Sequence, residues 1–171
     1  MLIKYKESLF ICVFALLYAL LEIEIEGQDG WAKNLPTPQI LFHFTQYHVI
    51  MNLIVILVLA KVYYKKKSDI YKTIFIITLW FMLEDTYWFI YNSKYKIKKY
   101  NKDNVPWHKW FCGLPLGSWI SITIFMCIIF LTKDKMYSKL LLQCSIISVV
   151  FIIISPLYHS FYNKYHLENK K

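Results

Sequence analysis

The chain contains no arginine, and its net charge of +9 comes from an excess of lysine over acidic residues. Proteins that read DNA or RNA bases commonly use the bidentate guanidinium group of arginine for this contact. Glycine is also scarce, with four residues in 171, so the hydrophobic share of 57% consists mainly of bulky side chains. A globule of 20.6 kDa cannot bury so much large apolar surface. The composition therefore argues against a nucleic-acid-binding role and against a soluble fold.

Cysteine is scarce as well. The four cysteines, at positions 12, 112, 127 and 144, form no C-x-x-C pair, and three of them lie within apolar runs. This distribution favours free thiols that pack as small hydrophobic residues, and it does not favour a disulfide framework or a redox motif.

Five apolar runs, separated by polar or lysine-containing breaks, make up most of the chain. Each has about the 17–25 residues that a helix needs to cross about 30 Å of hydrocarbon. Helices are predicted because a lone strand cannot satisfy its backbone polar groups in lipid. The predicted fold is an all-α integral membrane bundle with about five transmembrane helices, or four if the second or fourth is re-entrant. A single domain covers residues 1–171, with helices at about 9–26, 40–64, 71–92, 115–132 and 139–158.

Five crossings bring the ends of the first, third and fifth helices to the same side as the starts of the second and fourth. We call this side the polar end, because it receives all five histidines, all four glycines and five of the six tryptophans. With a rise of 1.5 Å per residue, His48 and Glu84 are predicted about 12–14 Å below this end, and Glu22 about 7–8 Å below it. These side chains are therefore predicted to meet inside the bundle.

Helical periodicity places the polar residues of each helix on an inward stripe. Charged groups within a membrane are costly, so they are expected to face the interior and to indicate function. The predicted inward residues are Glu22 and Glu26, but not Glu24, in the first helix; Thr45, His48 and Asn52 in the second; Glu84, Asp85, Trp88 and Asn92 in the third; and Ser145, Ser148, Ser155 and His159 in the fifth.

The sharpest functional hypothesis is a divalent metal site, for Zn²⁺, Fe²⁺ or Mn²⁺, just below the polar end. A metal-bound water there would attack an ester or phosphoester of a lipid or other membrane-embedded substrate, with Glu84 and Asp85 as the catalytic carboxylates. No H-E-x-x-H spacing is present, so the ligands would come from separate helices. The predicted ligands are His48, Glu84, Asp85, His108, Glu26 and His159.

The predicted partner of the whole chain is the lipid bilayer. The connection from Ser93 to Leu114 carries six lysines and one aspartate, which favours contact with anionic lipid headgroups through Lys94, Lys96, Lys98, Lys99 and Lys102. The lysines divide evenly between the two sides of the bundle. Lys4 and Lys6 precede the first helix and acidic residues follow it, so a cytoplasmic N-terminus in the cell membrane is predicted.

Three alternatives to the metal-dependent enzyme stay open from the sequence. Hydrogen bonds between histidine and carboxylate that only hold the helices together are a complete structural account. A proton or ion relay would use the same residues, although the second helix beyond Asn52 and the fourth beyond Thr123 are almost wholly apolar. A b-type haem needs two facing histidines, and His48 and His159 are predicted at different depths.

Two strings of residues resemble an uncharacterised family of small prokaryotic membrane proteins. One is Glu26-Gly27-x-x-Gly30-Trp31-Ala32-x-x-Leu35-Pro36-Thr37, an EGxxGWAxxLPT motif, and the other is Glu84-Asp85-x-x-Trp88-Phe89, followed by Trp107-His108-x-Trp110. The resemblance runs from the first helix into the fourth. It implies a polytopic membrane protein whose distinctive motifs lie at the polar end, and it implies no catalytic residue.

Overall fold

Five α-helices form the bulk of the computed structural model, which describes residues 2–30, 35–41 and 44–167. Four of them are long and apolar enough to cross a membrane, and the fourth helix, with 17 residues, is at the short end of the crossing range. The all-α bundle predicted from the sequence is confirmed. The helices are α1 (Leu2–Glu26), α2 (Gln46–Tyr63), α3 (Ile70–Tyr91), α4 (Leu116–Thr132) and α5 (Lys135–Tyr162).

The start of α2 differs from the prediction, because the helix begins at Gln46 and not at residue 40. A short antiparallel pair, β1 (Gln39–Leu41) with β2 (Phe44–Thr45), occupies the intervening segment. Thr45 then caps the helix by accepting a hydrogen bond from the backbone N–H of His48. The apolar character of this segment therefore belongs to a small hairpin at the polar end.

The first and last helices of the chain, α1 and α5, are longer than the apolar runs that predicted them. α1 begins at Leu2 instead of residue 9. α5 begins directly after Asp134, whose side chain accepts a hydrogen bond from the N–H of Met136, and it continues through Pro156 to Tyr162. Apolar runs mark the stretch that suits lipid, whereas capping residues set where a helix begins.

α3 is the central helix, since it packs against each of the other four. Its side chains Phe75, Ile76 and Trp80 are fully buried. α1 packs against α3 and α5, and its small residues Ala15 and Ala19 are also fully buried. Large apolar side chains point outward from the other helices and suit a bilayer; examples are Leu57, Phe130 and Leu157, which are about 70% exposed or more.

The connection between α3 and α4 folds over the end of α3. It contains a short 3-10 turn, Ile97–Lys99, and an antiparallel pair, β3 (Trp110–Phe111) with β4 (Leu114–Pro115), that leads into α4. Its aromatic rings pack on Phe89 of α3, with the ring of Tyr100 stacked at 4.4 Å between centroids. This packing places Trp107 and His108 beside the last turns of α3.

Candidate functional site

A cavity of about 520 Å³ lies between α1, α2, α3 and α4 at the polar end, beneath the connection that follows α3. Its volume is within the range of about 300–1,000 Å³ that is common for small-molecule sites. The walls combine aromatic rings with ionisable groups. The polar lining consists of Glu22, Glu26, His48, Asn52, Glu84, Asp85, His108, Ser118 and Ser121, and the aromatic lining of Phe81, Trp88, Phe89 and Trp107.

His48 lies between two partners from different elements. Its Nδ1 is 2.8 Å from Oγ1 of Thr45, the residue that caps α2. Its Nε2 is 3.0 Å from Oε1 of Glu26, in the last turn of α1. The first turn of α2 and the end of α1 thus fix the imidazole ring at the wall of the cavity.

Asp85 forms a second acid–base group with residues of the connection above it. Its Oδ1 is 3.6 Å from Nε2 of His108, and its Oδ2 accepts a hydrogen bond of 3.2 Å from the hydroxyl of Tyr100. Burial, and then the nearby negative charge of Asp85, raise the pKa of Tyr100. The Tyr100 hydroxyl therefore keeps its proton and acts as a donor to Asp85.

Glu22 of α1 and Glu84 of α3 both line the cavity, and their carboxyl groups are close enough to interact electrostatically. Glu22 is buried and Glu84 is half-buried. Two carboxylates at close range repel each other unless a proton or another cation lies between them. This pair is therefore a place that favours a proton or another cation.

Two buried hydroxyl groups close to the carboxyl pair, those of Tyr18 and Tyr47, have no hydrogen-bond partner among the described residues. Both tyrosines are within electrostatic range of Glu22 and Glu84, although neither lines the cavity itself. A buried polar atom without a partner costs about 1–3 kcal/mol, so a polar group that reached either hydroxyl would be favoured.

Five of the six residues predicted as metal ligands line this one cavity, namely Glu26, His48, Glu84, Asp85 and His108. The sixth, His159, lies elsewhere, because its Nε2 is 2.9 Å from the carbonyl oxygen of Ile90 on the α5 side of α3. The described part of the chain contains no group of three or more His, Cys, Asp or Glu arranged to hold one metal ion. Each cavity histidine instead lies beside a different carboxylate, and the remaining two carboxyl groups pair with each other.

The inward stripes predicted from periodicity are confirmed in part. Asn52 lines the cavity, and Glu24 is exposed as expected. Ser145 is exposed, so its predicted inward position is wrong, and Asn92 points away from the cavity to donate to the carbonyl oxygen of Gln28 at 3.2 Å. Sequence reasoning missed Tyr18, although it precedes Glu22 by four residues and thus lies on the same face of α1. His43, which was predicted near the start of the second helix, lies outside the described residues.

Comparison of the chain with protein-family models, curated proteins and solved structures finds no match. The resemblance of its motifs to a family of small membrane proteins therefore stays a prediction. Trp31 and Ala32 of the first motif lie outside the described residues. Gly30 of that motif, at φ +65°, approaches Trp88 of the second so closely that an added Cβ would be 2.6 Å from its ring. The two motifs meet at the cavity wall.

Proposed function

We propose that the protein is an integral membrane enzyme that performs general acid–base chemistry on a membrane-embedded substrate bound in the cavity. The observation that carries the proposal is the carboxyl pair of Glu22 and Glu84, which lies at the wall of a ligand-sized cavity beside two histidines. Paired carboxyl groups in one site commonly divide into a proton donor and a proton acceptor. Glu84 is the better placed of the two to reach a substrate, because it is less buried than Glu22.

The histidines support the same chemistry from the other walls. His48, held between Thr45 and Glu26, is a second group whose imidazole nitrogens can accept or donate a hydrogen bond at the wall of the cavity. His108 beside Asp85 is a third, located where the connection covers the cavity. These groups approach the cavity from different sides, so a bound substrate would meet a proton donor and a proton acceptor at once.

The surroundings of the cavity favour a substrate from the bilayer. α2 and α4 both pack against α3 and both contribute residues to the lining of the cavity. Apolar residues of α2 and α3, such as Ile56 and Met82, continue the lining away from the polar end. We expect the apolar part of the substrate to enter between α2 and α4, with its polar group beside Glu84.

The test is conversion of lipid by the full-length protein in liposomes made from a total polar lipid extract, in D₂O. Untargeted mass spectrometry should find a lipid species that gains deuterium or is cleaved only when the protein is present. Glu84→Gln keeps the size of the side chain but cannot hold the proton, so it should lower the rate by about 100-fold or more. Glu24→Gln is the matched control, since Glu24 is on the same helix as Glu22 but does not line the cavity.

The metal-dependent form of this enzyme makes a separate prediction. If the cavity carboxylates and His48 hold Zn²⁺, Fe²⁺ or Mn²⁺, elemental mass spectrometry of the purified protein will show near-stoichiometric metal that a His48→Ala, Glu84→Ala double variant loses. Conversion of lipid by metal-free protein would instead assign the chemistry to the carboxyl and imidazole groups alone. Absence of any protein-dependent conversion, with or without these metals, would contradict the proposed enzyme.

The proposal includes a location and an orientation. The apolar outer surface and four membrane-length helices suit the cell membrane. Lys4 and Lys6 before the membrane-crossing part of α1, with Glu26 and Asp29 after it, favour a cytoplasmic N-terminus and a polar end on the outer side. In the connection after α3, Lys94 pairs with Asp29, and we expect Lys96, Lys98, Lys99 and Lys102 to contact anionic headgroups.

A further inference from the structure

We infer that the ligand of the cavity carries a protonated amine on an apolar body, with its ammonium group between the Glu22–Glu84 pair and the rings of Trp88 and Trp107. This inference rests on the proposed function in one respect, namely that the cavity is the substrate site, and it adds the chemical class of the substrate. It does not depend on which reaction follows.

The lining of the cavity has more acidic groups than basic ones. Four carboxyl groups, two imidazoles and, among the described residues, no lysine line it. The contrast with the rest of the molecule is large, because the chain has 20 lysines and a net charge of +9. A surplus of carboxyl groups in a cavity with low-dielectric walls attracts a cation.

The surplus can be assigned to particular residues. Glu26 lies beside His48, and Asp85 lies beside His108 and accepts from Tyr100, so each of these carboxyl groups has a neighbour that can balance it. Glu22 and Glu84 lie close to each other, and the carboxyl groups of Glu26 and Asp85 add to the negative charge around them. An ammonium group placed between Glu22 and Glu84 would offset this charge.

The unpartnered atoms near the pair point to a ligand that donates hydrogen bonds. The hydroxyl of Tyr47 has no hydrogen-bond partner among the described residues and is in electrostatic range of Glu22 and Glu84. Tyr18, 7% exposed, has an unpartnered hydroxyl oxygen in electrostatic range of the same pair. An ammonium group offers three N–H donors and would supply partners to such oxygens.

The aromatic walls favour an organic cation over a metal ion. Trp88 and Trp107 line the cavity with Phe81 and Phe89, and the face of tryptophan is the aromatic surface that binds ammonium groups best. The ring of Trp88 is held in place by Phe89, at 4.9 Å between centroids, and by the close approach of Gly30. The same rings supply the apolar contact that the rest of an amphiphilic amine needs.

The test is calorimetric titration of the full-length protein in non-ionic detergent with 4-phenylbutylammonium, compared with the neutral 4-phenylbutan-1-ol of the same length. We expect the ammonium to bind at least about tenfold more tightly than the alcohol, since cation–π contact and one ion pair together are worth more than 1.4 kcal/mol in a desolvated site.

Two variants with matched controls locate the site. Glu22→Gln with Glu84→Gln should remove the preference for the ammonium, whereas Glu24→Gln should leave it unchanged. Trp88→Phe should weaken ammonium binding several-fold. Trp119→Phe should not, because Trp119 does not line the cavity and its indole N–H donates to the carbonyl oxygen of Phe111. Gel filtration of each variant confirms that it stays folded.

Equal affinity for the amine and the alcohol would overturn the inference, as would an ammonium preference that survives in the double glutamine variant. Displacement of the amine by ZnCl₂ or MnCl₂ at equimolar concentration would also overturn it and assign the pair to a metal ion. These outcomes are distinguishable from those that test the proposed enzyme. Conversion of a neutral lipid without amine binding would contradict only the amine ligand. Amine binding without any lipid conversion would contradict only the enzymatic function.

Discussion

Two polar regions inside the bundle use their polar groups differently. One is the cavity at the polar end, and the other is a set of contacts between α5 and its neighbours α1 and α3, which we call the α5 seam. In the seam, uncharged side chains form hydrogen bonds across helices, although Nε2 of Gln143 has no partner among the described residues. They are Ser8 to Gln143 at 3.3 Å, Tyr87 with Ser148 at 2.7 Å, Tyr91 to the carbonyl oxygen of Phe151 at 3.0 Å, and His159 with the carbonyl oxygen of Ile90 at 2.9 Å.

The cavity differs from the seam in charge, because it gathers four carboxyl groups where two imidazoles are available. Interhelical hydrogen bonds of the seam type are sufficient to hold helices together in a membrane. A bundle gains nothing in stability from adjacent carboxyl groups, so the difference supports the proposal that the cavity serves a ligand while the seam serves the fold.

The largest expected loss of unfolding free energy comes from a substitution that displaces Trp88 in the cavity wall. Gly30→Ala should lower the free energy of unfolding by about 2–4 kcal/mol, because the new Cβ would lie 2.6 Å from the ring of Trp88 and the residue has φ +65°. The measurement is denaturation by SDS in mixed micelles. Amine binding should fall in the same variant, since Trp88 must move.

Gly117→Ala is the matched control for this substitution. Gly117 also lines the cavity, but it is in α4 and an added Cβ would meet nothing within 4 Å. Alanine should therefore leave stability unchanged or raise it slightly through its better helix propensity. Equal losses in the two variants would show that the fixed position of Trp88 is not what Gly30 provides.

A smaller change in the free energy of unfolding compares a residue of the α5 seam with a residue of the cavity. Tyr91→Phe removes one interhelical hydrogen bond and should cost about 1 kcal/mol of unfolding free energy. Glu22→Gln should cost nothing or stabilise the bundle, because it replaces a carboxyl group that contacts another carboxyl group. Denaturation of both variants side by side makes the comparison. A loss in Glu22→Gln as large as that in Tyr91→Phe would mean that the cavity residues are structural after all.

Much of the site could be predicted from the sequence because depth and direction follow from helix geometry. The rise per residue placed Glu22 and Glu84 at similar depths, and both line the cavity. His48 also lines it, but its predicted depth is wrong, because α2 begins at Gln46 and His48 is in the first turn. The 3.6-residue period separated Glu24 from Glu22 and Glu26. Both arguments need only the residues of one helix and the side of the membrane on which it ends.

The pairing between helices could not be predicted in the same way. Which histidine lies beside which carboxylate depends on how the helices rotate and cross, and a single sequence does not contain that information. His48 was expected beside a carboxylate of the third helix, yet it lies beside Glu26, while Asp85 lies beside His108. His159 was assigned to the metal set by residue type, but it bonds to a backbone oxygen in the seam.

The smallest expected effect concerns a third kind of polar contact, the exposed ion pair of Lys94 and Asp29 above the cavity. Both side chains are 47% exposed. The hydrogen bond to Asp29 raises the pKa of Lys94, so any stability from the pair is present at neutral pH and is lost only as the pH rises through that raised pKa.

Exposed pairs of this kind contribute little, since water screens the charges and the long side chain loses freedom. Lys94→Met should therefore change the unfolding free energy by less than about 0.5 kcal/mol, with a smaller change at high salt. A double-mutant cycle with Asp29→Asn isolates the pair. A coupling above about 1 kcal/mol would show that this contact holds the end of α1 against the connection after α3. The Lys94–Asp29 pair would then count, like the hydrogen bonds of the α5 seam, among the polar contacts that stabilise the fold.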